Sequence, residues 1–594
     1  MIKINVKLAR MRERPDEGFA MIMVLGIGMV MLILALAAIG LSVSNLQKSK
    51  GDSDFAAAES AAYAGISDYE ARLANNNSYY LFGNSSSTFS PTGSVSAPQT
   101  TNPAFGLGAT GTWATVPSSV GLSKAYFRYE VDNSKYNSTG IIRLRSTGKV
   151  GTSLRTVIAN VKQHGFVDFM YYTKYELGDP QQTNTSCVPT YDWQVNHSSS
   201  CSEIQFAPND VINGPVHSND TIKICGSTFT GAFSTSDPNP PFYNSVSGCS
   251  APHFNPNSPP THSATLDPPP TNAQMRQEVR SDLPTVADPG CLYTGPTSVI
   301  FNKSGTMTVR SPFTKATEVA ANTSTGLLTV GSTPAKCGVP GTATGSLGSS
   351  GGATISVLNS NLIFVQDVPT TAGDPNAWGA TSYPSGFTCN STSTLSGWTF
   401  GPLAFPMANE RTPAASPVNY GCRKGDIYTQ NAAGATGGMH GTMTMTADNY
   451  IYITGDLTYA NSLTDMLGLV GNNTIWVWNP FNSSGSPLLP KDRTIDAAIL
   501  SINHTFQVEN YSLGSDDRGT LSVFGAIAQT FRGAVGQSSN GNSITQGYTK
   551  NYNYDGRLQY EAPPKFLSPV AATYGVSQLV EVKTPFLISG AYAP

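Results

Sequence analysis

The clearest pattern in the chain is one long apolar run near its start. Residues 19–43 read FAMIMVLGIGMVMLILALAAIGLSV, with no charged side chain. As a helix this run is about 37 Å long, enough to cross a hydrocarbon core of about 30 Å. Five basic residues precede it: Lys3, Lys7, Arg10, Arg12 and Arg14. The pattern predicts a single membrane helix with a cytoplasmic N-terminus and an extracytoplasmic remainder.

The helical pattern continues beyond the apolar run, over residues 44–75. No proline interrupts this stretch, and apolar residues recur along it at steps of three and four: Phe55, Ala58, Ala62, Ile66, Tyr69 and Leu73. The run Asn75-Asn76-Asn77 ends the helix, since asparagine tolerates a left-handed cap. We expect one long helix whose outer half packs on another element.

Three runs of strand-forming residues follow in the region 76–165. They are 126–131 (YFRYEV), 141–150 (IIRLRSTGKV) and 154–162 (LRTVIANVK), and the second alternates apolar and polar positions. Short connections predict an antiparallel sheet. We expect this sheet to pack on the outer half of the helix as a small head.

Residues 166–594 are predicted to form a β-rich domain, and from about 180 to 480 short apolar runs alternate with turns rich in Asn, Gly and Asp. Examples are 353–368 (ATISVLNSNLIFVQDV) and 443–460 (MTMTADNYIYITGDLTYA). This texture is typical of a parallel β-helix, in which inward residues stack from coil to coil. A β-sandwich with long insertions is the alternative. Two segments rich in Pro, Gly or Ser, near 234–274 and 338–354, are predicted insertions. The fold class is therefore α+β.

The amino-acid composition argues against some classes of function. Charged residues make up 12% of the chain, and the formal net charge is -3. This balance gives no electrostatic basis for binding nucleic acid. Abundant Ser, Thr, Asn, Gly and Pro indicate a protein displayed outside cells rather than a cytosolic enzyme.

All eight cysteines follow the apolar helix. None has the spacing of a zinc site, so up to four disulfides are expected on the oxidising side of a membrane. Nearest-neighbour pairing is the simplest of the 105 possible connectivities, because it closes the shortest loops. The candidates are Cys187, Cys201, Cys225, Cys249, Cys291, Cys337, Cys389 and Cys422.

The junction before the apolar run favours one of three interpretations. Acidic residues, then Gly18, then Phe19 at the start of the run, resemble the prepilin peptidase site of type IV pilins. That resemblance implies a leader of residues 1–18, cleavage after Gly18 and retention of the helix. A secretory signal peptide, with an apolar stretch of about 7–15 residues, and an uncleaved signal anchor are the alternatives.

Further segments carry the resemblance along most of the chain. Residues 54–74 (DFAAAESAAYAGISDYEARLA) are similar to the same region of PilX-type minor pilins. The runs PVHSNDTIKICG, ITGDLTY, AAILSINHTF, GAIAQTFRGAVG and YNYDGRLQYEAPPKF resemble PilX-domain pilus assembly proteins with a repetitive β ectodomain. Most pilins carry Glu at the fifth mature position. Here that position is Met23, which suits a minor or tip subunit.

Candidate chemistry is sparse. His217 has Ser218 and Asp220 nearby, but adjacent residues on a strand point to opposite faces, so no catalytic relay is expected there or at His440 and His504. The run NYNYDG at 551–556 faintly resembles the start of a calcium loop. Such a loop needs a glutamate at its twelfth position, and here, counted from Asn551, that position is Ala562. We expect no catalytic residue, no metal and no cofactor.

These observations predict a non-enzymatic minor or tip pilin, or a pilus assembly component. The resemblance implies a bacterial cell membrane as its location, and prepilin peptidase, other pilins and the assembly machinery as partners. Two alternatives remain: a cell-surface adhesin held by an uncleaved anchor, and a carbohydrate-active enzyme built on a β-helix.

Overall fold

The computed structural model describes residues 17–593, apart from 92–93, 99–101, 109–110, 118–123, 137–139, 164, 190–192, 194–196, 391–396, 412–419, 435–437, 540–542 and 570–573. Most of the predicted leader, residues 1–16, lies outside this part of the chain. The first element, α1, spans Glu17–Asn75 without a break. One helix therefore contains both the apolar run and its predicted extension.

The head follows α1. Its strands are β1 (Ala114–Thr115), β2 (Ala125–Asp132), β3 (Ile141–Val150) and β4 (Ser153–Gln163). They form an antiparallel meander, with Arg128 opposite Thr147 and Ser146 opposite Val157. The predicted strands are confirmed to within one or two residues. Short 3-10 helices at Asn77–Leu81 and Pro103–Phe105 cover one end of the sheet.

A domain of short strands follows the head. The first group is β5 (Tyr171–Tyr175), β6 (Gln205–Phe206), β7 (Val211–Asn213), β8 (Val216–Ser218), β9 (Lys223–Ile224), β10 (Thr228–Phe229), β11 (Phe233–Thr235), β12 (Asn244–Ser245), β13 (His253–Phe254) and β14 (Thr261–His262). The second is β15 (Cys291–Thr294), β16 (Thr297–Phe301), β17 (Thr306–Arg310), β18 (Val319–Ala321), β19 (Leu328–Val330) and β20 (Ala353–Ser356).

The third group is β21 (Asn361–Gln366), β22 (Phe387–Cys389), β23 (Trp398–Phe400), β24 (Leu403–Phe405), β25 (Ile427–Asn431), β26 (Thr442–Ala447), β27 (Ile451–Ile453), β28 (Met466–Gly471), β29 (Ile475–Val477), β30 (Arg493–Ser501), β31 (Phe506–Val508), β32 (Asp517–Phe531), β33 (Gly536–Ser539) and β34 (Ser543–Tyr554). A one-turn helix, α2, spans Pro180–Thr183. The 3-10 helices here are Phe166–Asp168, Ala273–Val279, Ala335–Cys337 and Gly556–Gln559.

The strands stack as a solenoid with parallel ladders. One ladder runs β13-β10-β7-β34-β32-β30-β28-β26-β21-β15, and a second contains β16-β25-β27-β29-β31. A continuous column of buried residues follows the registers: Cys291, Ile363, Met445, Leu469, Ile499, Ile527, Tyr171, Val216 and Phe233. Each coil buries its inward residues only against its neighbours, so the stack makes one core. The prediction of a β-helix-like domain within an α+β chain is confirmed, and the β-sandwich alternative is wrong.

The order of the coils differs from the order of the sequence. The chain enters in the middle, where β5 pairs with the second half of β32 and β7 pairs with β34. It builds coils to one end, and residues 263–290 then carry it along the outside to β15 at the other end. Asn272 in this crossing donates to the Ala447 carbonyl at 2.8 Å. The last coils return to the point of entry.

The predicted insertion at 234–274 is wrong for its first part. Strands β12, β13 and β14 lie within it and pair in parallel with preceding coils. Each of these three strands is only two residues long. The prolines of the segment lie between the strands and so do not interrupt their pairing. In the second predicted insertion, 338–354, residues 338–352 contain no strand, and the last two residues already belong to β20.

The last strand, β35 (Tyr574–Val582), returns to the head. It pairs antiparallel with β4 and completes the sheet order β1-β2-β3-β4-β35. This strand lies outside the predicted head, 76–165. The solenoid is therefore inserted between two neighbouring strands of the head.

Candidate membrane and assembly site

The N-terminal part of α1 exposes its apolar side chains on all sides. Large hydrophobic residues from Met21 to Leu46 are between 48% and 69% exposed. Within the described residues, one helix is long and apolar enough to cross a membrane, and its most apolar stretch is not buried by the rest of the protein. A surface this apolar is stable only against lipid or other apolar chains.

The outer part of α1 packs on the head through small residues. Ala58, Ala61 and Ala62 are buried against β3, where Ser146 Oγ donates to the Ala62 carbonyl at 2.7 Å. Opposite them, a Cβ atom on Gly148 would lie 1.9 Å from the Ala58 carbonyl oxygen. Only glycine permits this approach of helix and strand. The predicted apolar stripe of α1 therefore faces the sheet.

A partly buried polar network fixes how α1 is rotated on the sheet. The Tyr129 hydroxyl donates to Asp68 Oδ2 at 2.9 Å and accepts from Asn102 Nδ2 at 2.6 Å. The amide of Asn102 also donates to Tyr79 Oη, and Arg72 forms an ion pair with Asp68 at 2.8 Å. Burial raises the pKa of Tyr129, so its hydroxyl stays protonated. The network joins the helix, the sheet and the following loop.

Arg155 connects α1 to the returning strand. Its guanidinium lies 3.8 Å from the Phe55 ring centre and 3.7 Å from Glu59, and it also forms an ion pair with Glu581 on β35. The contact joins α1, β4 and β35 near the point where α1 leaves the head. The sequence gives no sign of it, because residues 59 and 581 are remote in the chain.

The predicted processing residues lie at the start of α1. Gly18 and Phe19 belong to its first turns, and the Met23 side chain is 58% exposed. Met23 is exposed like its neighbours on the helix, which presents no acid at that position. Cleavage after Gly18 stays a prediction.

The eight cysteines form four disulfides in nearest-neighbour order, as predicted: Cys187–Cys201, Cys225–Cys249, Cys291–Cys337 and Cys389–Cys422. All four lie in the solenoid domain. Each closes a local segment and none joins the head to the solenoid.

The residues around His217 do not form a relay. His217 Nδ1 bonds to Ser234 Oγ at 3.0 Å, and burial lowers the pKa of the imidazole to about 4. Ser218 Oγ accepts from Thr173, and Asp220 accepts from the Glu176 backbone. The three side chains have separate partners, and His217 and Ser218 point to opposite faces because they are adjacent on β8.

The other candidate positions also have partners. His504 Nδ1 lies 2.7 Å from Asp179, and His440 lies 4.0 Å from Asp465. In the run 551–556, Asp555 forms an ion pair with Arg557. Among the described residues no group of three His, Cys, Asp or Glu side chains is arranged to hold a metal ion.

Comparisons with known proteins add little to this geometry. No protein-family model matches the sequence, and no curated protein does. One similar solved structure is the competence-associated pilin ComZ from Thermus thermophilus, at 12% identity and a TM-score of 0.24, covering 89% of this chain and 97% of that chain. A similarity of this size supports no inference about function.

Proposed function

We propose that the chain is a non-enzymatic minor or tip subunit of a pilus, or a component of its assembly. It enters the membrane through α1 and presents the solenoid outside the cell. The observation that carries the proposal is the division of α1 into two halves. One half is apolar and exposed on every side, and the other is a layer of the head.

The contacts of α1 favour a structural role, in which the helix joins the membrane segment rigidly to the head, over a role as a simple membrane anchor. A tether needs only the apolar run. In this chain the same helix continues without a break into the head, where close Ala–Gly packing and the Asp68–Tyr129 hydrogen bond hold it. A continuous helix transmits force from the membrane or fibre to the sheet.

The insertion of the solenoid supports a display role. Both of its ends attach to neighbouring strands of one sheet, β4 and β35. The solenoid is therefore connected to the head by two chain segments, which suits a spacer, cap or adhesive surface. In this proposal its partners are other pilins, the assembly machinery and prepilin peptidase.

The maturation step is tested by mass spectrometry of the N-terminus of the full chain from its native membrane. The proposal expects a mature chain that begins at Phe19, and a Gly18→Ala variant that keeps residues 1–18. Gly28→Ala is the matched control, because a Cβ there meets no atom within 4 Å. It should mature normally. A wild-type chain that still begins at Met1 contradicts the proposal and supports an anchored adhesin.

The assembly step is tested by shearing surface fibres from cells. Wild-type protein should be found in the sheared fraction together with pilins, and Gly18→Ala should remain in the membrane. Wild-type protein confined to the membrane contradicts a place in the fibre. Polysaccharide cleavage by the purified full chain would support the carbohydrate-active alternative.

A further inference from the structure

The segment 367–426 leaves the solenoid between β21 and β25 and folds back on its outer face. We call its described residues the cover. They include the small antiparallel sheet β22-β23-β24. Beneath the cover lies a column of outward aromatic side chains in register, Tyr428, Tyr452 and Trp476. Trp398 and Phe405 of the cover pack on Tyr428, with ring centres 5.1 Å and 4.1 Å away.

A buried acid pair lies at one edge of the cover. Glu410 and Tyr420 belong to the cover, and Glu509 follows β31 on the solenoid. The Tyr420 hydroxyl is within hydrogen-bond distance of Glu410 Oε1 and lies 3.0 Å from Glu509 Oε1. The indole nitrogen of Trp478 donates to the same hydroxyl at 2.9 Å. One phenolic oxygen therefore has three hydrogen-bond partners.

The number of available protons constrains this arrangement. A tyrosine hydroxyl has one proton to donate, and an ionised carboxylate can only accept. The Tyr420 oxygen accepts one hydrogen bond from the Trp478 indole, and the Tyr420 hydroxyl can donate its proton to only one glutamate. The other glutamate can bond to the hydroxyl only if it donates a proton of its own. We infer that Glu410 and Glu509 hold one proton between them through Tyr420, and that this proton fastens the cover to the solenoid.

The hydrogen bonds and the burial of Glu410 and Glu509 are consistent with a shared proton. The second oxygen of each carboxyl group accepts from a backbone N–H, of Met407 at 2.8 Å and of Asn479 at 3.4 Å. In the part of the chain that the structure describes, no ion pair neutralises either glutamate. Burial raises the pKa of both carboxyl groups, and the neighbouring Glu410 charge raises that of Glu509 further.

The other ionisable groups packed here give no compensating charge. Tyr428 and Tyr452 are neutral phenols whose pKa burial raises, and Asp426, at the end of the cover, is an acid whose pKa burial raises to about 7. The guanidinium of Arg518 donates to Asn479 Oδ1 at 3.1 Å and to the Leu489 and Pro490 carbonyls. Among the described residues, these neighbours therefore bring no cation into an ion pair with either glutamate.

The consequence for pH follows from proton linkage. Detachment of the cover exposes both glutamates to water, where their ordinary pKa is about 4.3. The attached state therefore binds one more proton than the detached state above that pH. Detachment becomes more favourable as pH rises, by up to about tenfold per pH unit, and levels off once the attached pair has lost its proton. The cover is held most firmly in acid.

The test is limited trypsin cleavage of the full chain in detergent, with products identified by mass spectrometry. The measured quantity is the cleavage rate after Arg411, in the cover, divided by the rate for an unstructured reporter peptide at each pH. The inference expects a wild-type rate that rises about tenfold or more between pH 5 and pH 8. In Glu509→Gln the amide donates to Tyr420 without a shared proton, so the rise over the same range should be clearly smaller than in wild type.

Controls separate this effect from general unfolding. Glu561→Gln, at the partly exposed Glu561 outside the cover, should reproduce the wild-type profile. If Glu509→Gln does not fold, Glu410→Gln serves in its place, with the same expectation. Infrared spectra at pH 6 should show a protonated carboxyl band in wild type that is weaker in either glutamine variant. Parallel pH profiles of wild type and variant, or infrared bands of equal strength, overturn the inference.

Discussion

Gly148 on β3 lies directly against the backbone of α1 at Ala58, and a Cβ atom at position 148 would be 1.9 Å from the Ala58 carbonyl oxygen. The same Cβ would lie 2.4 Å from the Ala62 backbone nitrogen. Because these are backbone atoms, the clash cannot be relieved by a change of side-chain rotamer. A side chain at position 148 would therefore hold the helix and the sheet of the head further apart.

Gly148→Ala should destabilise the head, because the added methyl group forces helix and sheet apart. Overpacking of this kind costs about 1–3 kcal/mol. Hydrogen–deuterium exchange of peptides from residues 58–73, in the full chain in detergent, measures the effect as faster exchange. Gly51→Ala is the control: its Cβ meets no atom within 4 Å, and alanine favours a helix by about 0.5–1 kcal/mol. Unchanged exchange in Gly148→Ala would contradict the packing described here.

Lys550→Met should weaken the contact between the first and the last coils of the solenoid in chain order. Lys550 on β34 forms a buried ion pair with Asp210 at 2.7 Å, across 340 residues of sequence. Removal of the lysine leaves Asp210 buried without its cation, at a cost of about 3–5 kcal/mol in unfolding free energy. Urea denaturation of the full chain measures this loss.

The control for this variant is an exposed ion pair of the same type. Lys424 and Asp367 are 3.0 Å apart, with side chains 55% and 44% exposed. Lys424→Met should change stability by less than about 1 kcal/mol. The double variant Asp210→Leu/Lys550→Met should recover part of the loss, because it leaves no buried charge. Equal effects at Lys550 and Lys424 would show that burial of the first pair is unimportant.

Stability should also depend on pH through His197. Burial opposes its charge, but Asp220 at 3.0 Å and Glu203 at 3.2 Å together raise the pKa of the imidazole. Its contribution is therefore fully present below the unfolded pKa of about 6.5 and is lost as pH rises through the higher folded value. Thermal unfolding from pH 5 to pH 9 measures it.

His197→Gln should flatten that part of the pH profile, with the largest loss of melting temperature on the acid side. His253→Gln, at an exposed histidine, should follow the wild type. The carboxyl pair at Glu509 also weakens the wild type as pH rises, so the comparison of the two variants with wild type isolates the histidine. A variant whose loss grows with rising pH would contradict the assigned sign.

The disulfide between Cys291 and Cys337 should contribute more to stability than the one between Cys187 and Cys201. They close loops of 46 and 14 residues, and the chain-entropy model gives about 4 and about 3 kcal/mol respectively. Replacing each pair by alanine and comparing urea midpoints checks the order. Peptide mapping without reduction should recover the four nearest-neighbour pairs. Linkage of Cys291 to any cysteine other than Cys337 would contradict the fold around β15.

Much of the architecture follows from local patterns. The run 19–43 and the stripe from Phe55 to Leu73 predict α1, since helix periodicity is a property of the sequence itself. Strands β2, β3 and β4 alternate clearly and have short connections. The nearest-neighbour disulfides close local loops. The turn-rich texture after residue 166 indicates stacked short strands.

Other features depend on contacts between distant residues. No local pattern places β35 beside β4, and β5 pairs with β32 only because the solenoid closes on its point of entry. Short β12 and β13 have too few residues to stand out from their proline-rich surroundings. Strand pairing is decided by the burial of whole faces, which the sequence does not report pair by pair.

The sequence by itself determined one apolar helix, its amphipathic extension, an antiparallel head and a solenoid-like texture, because each arises from periodicity among neighbours. Only the tertiary structure decided the return of β35, the position of Lys550 against Asp210 and the shared hydroxyl of Glu410 and Glu509. Those contacts depend on the order in which coils stack. That order is set by the packing of the whole core and not by any single segment.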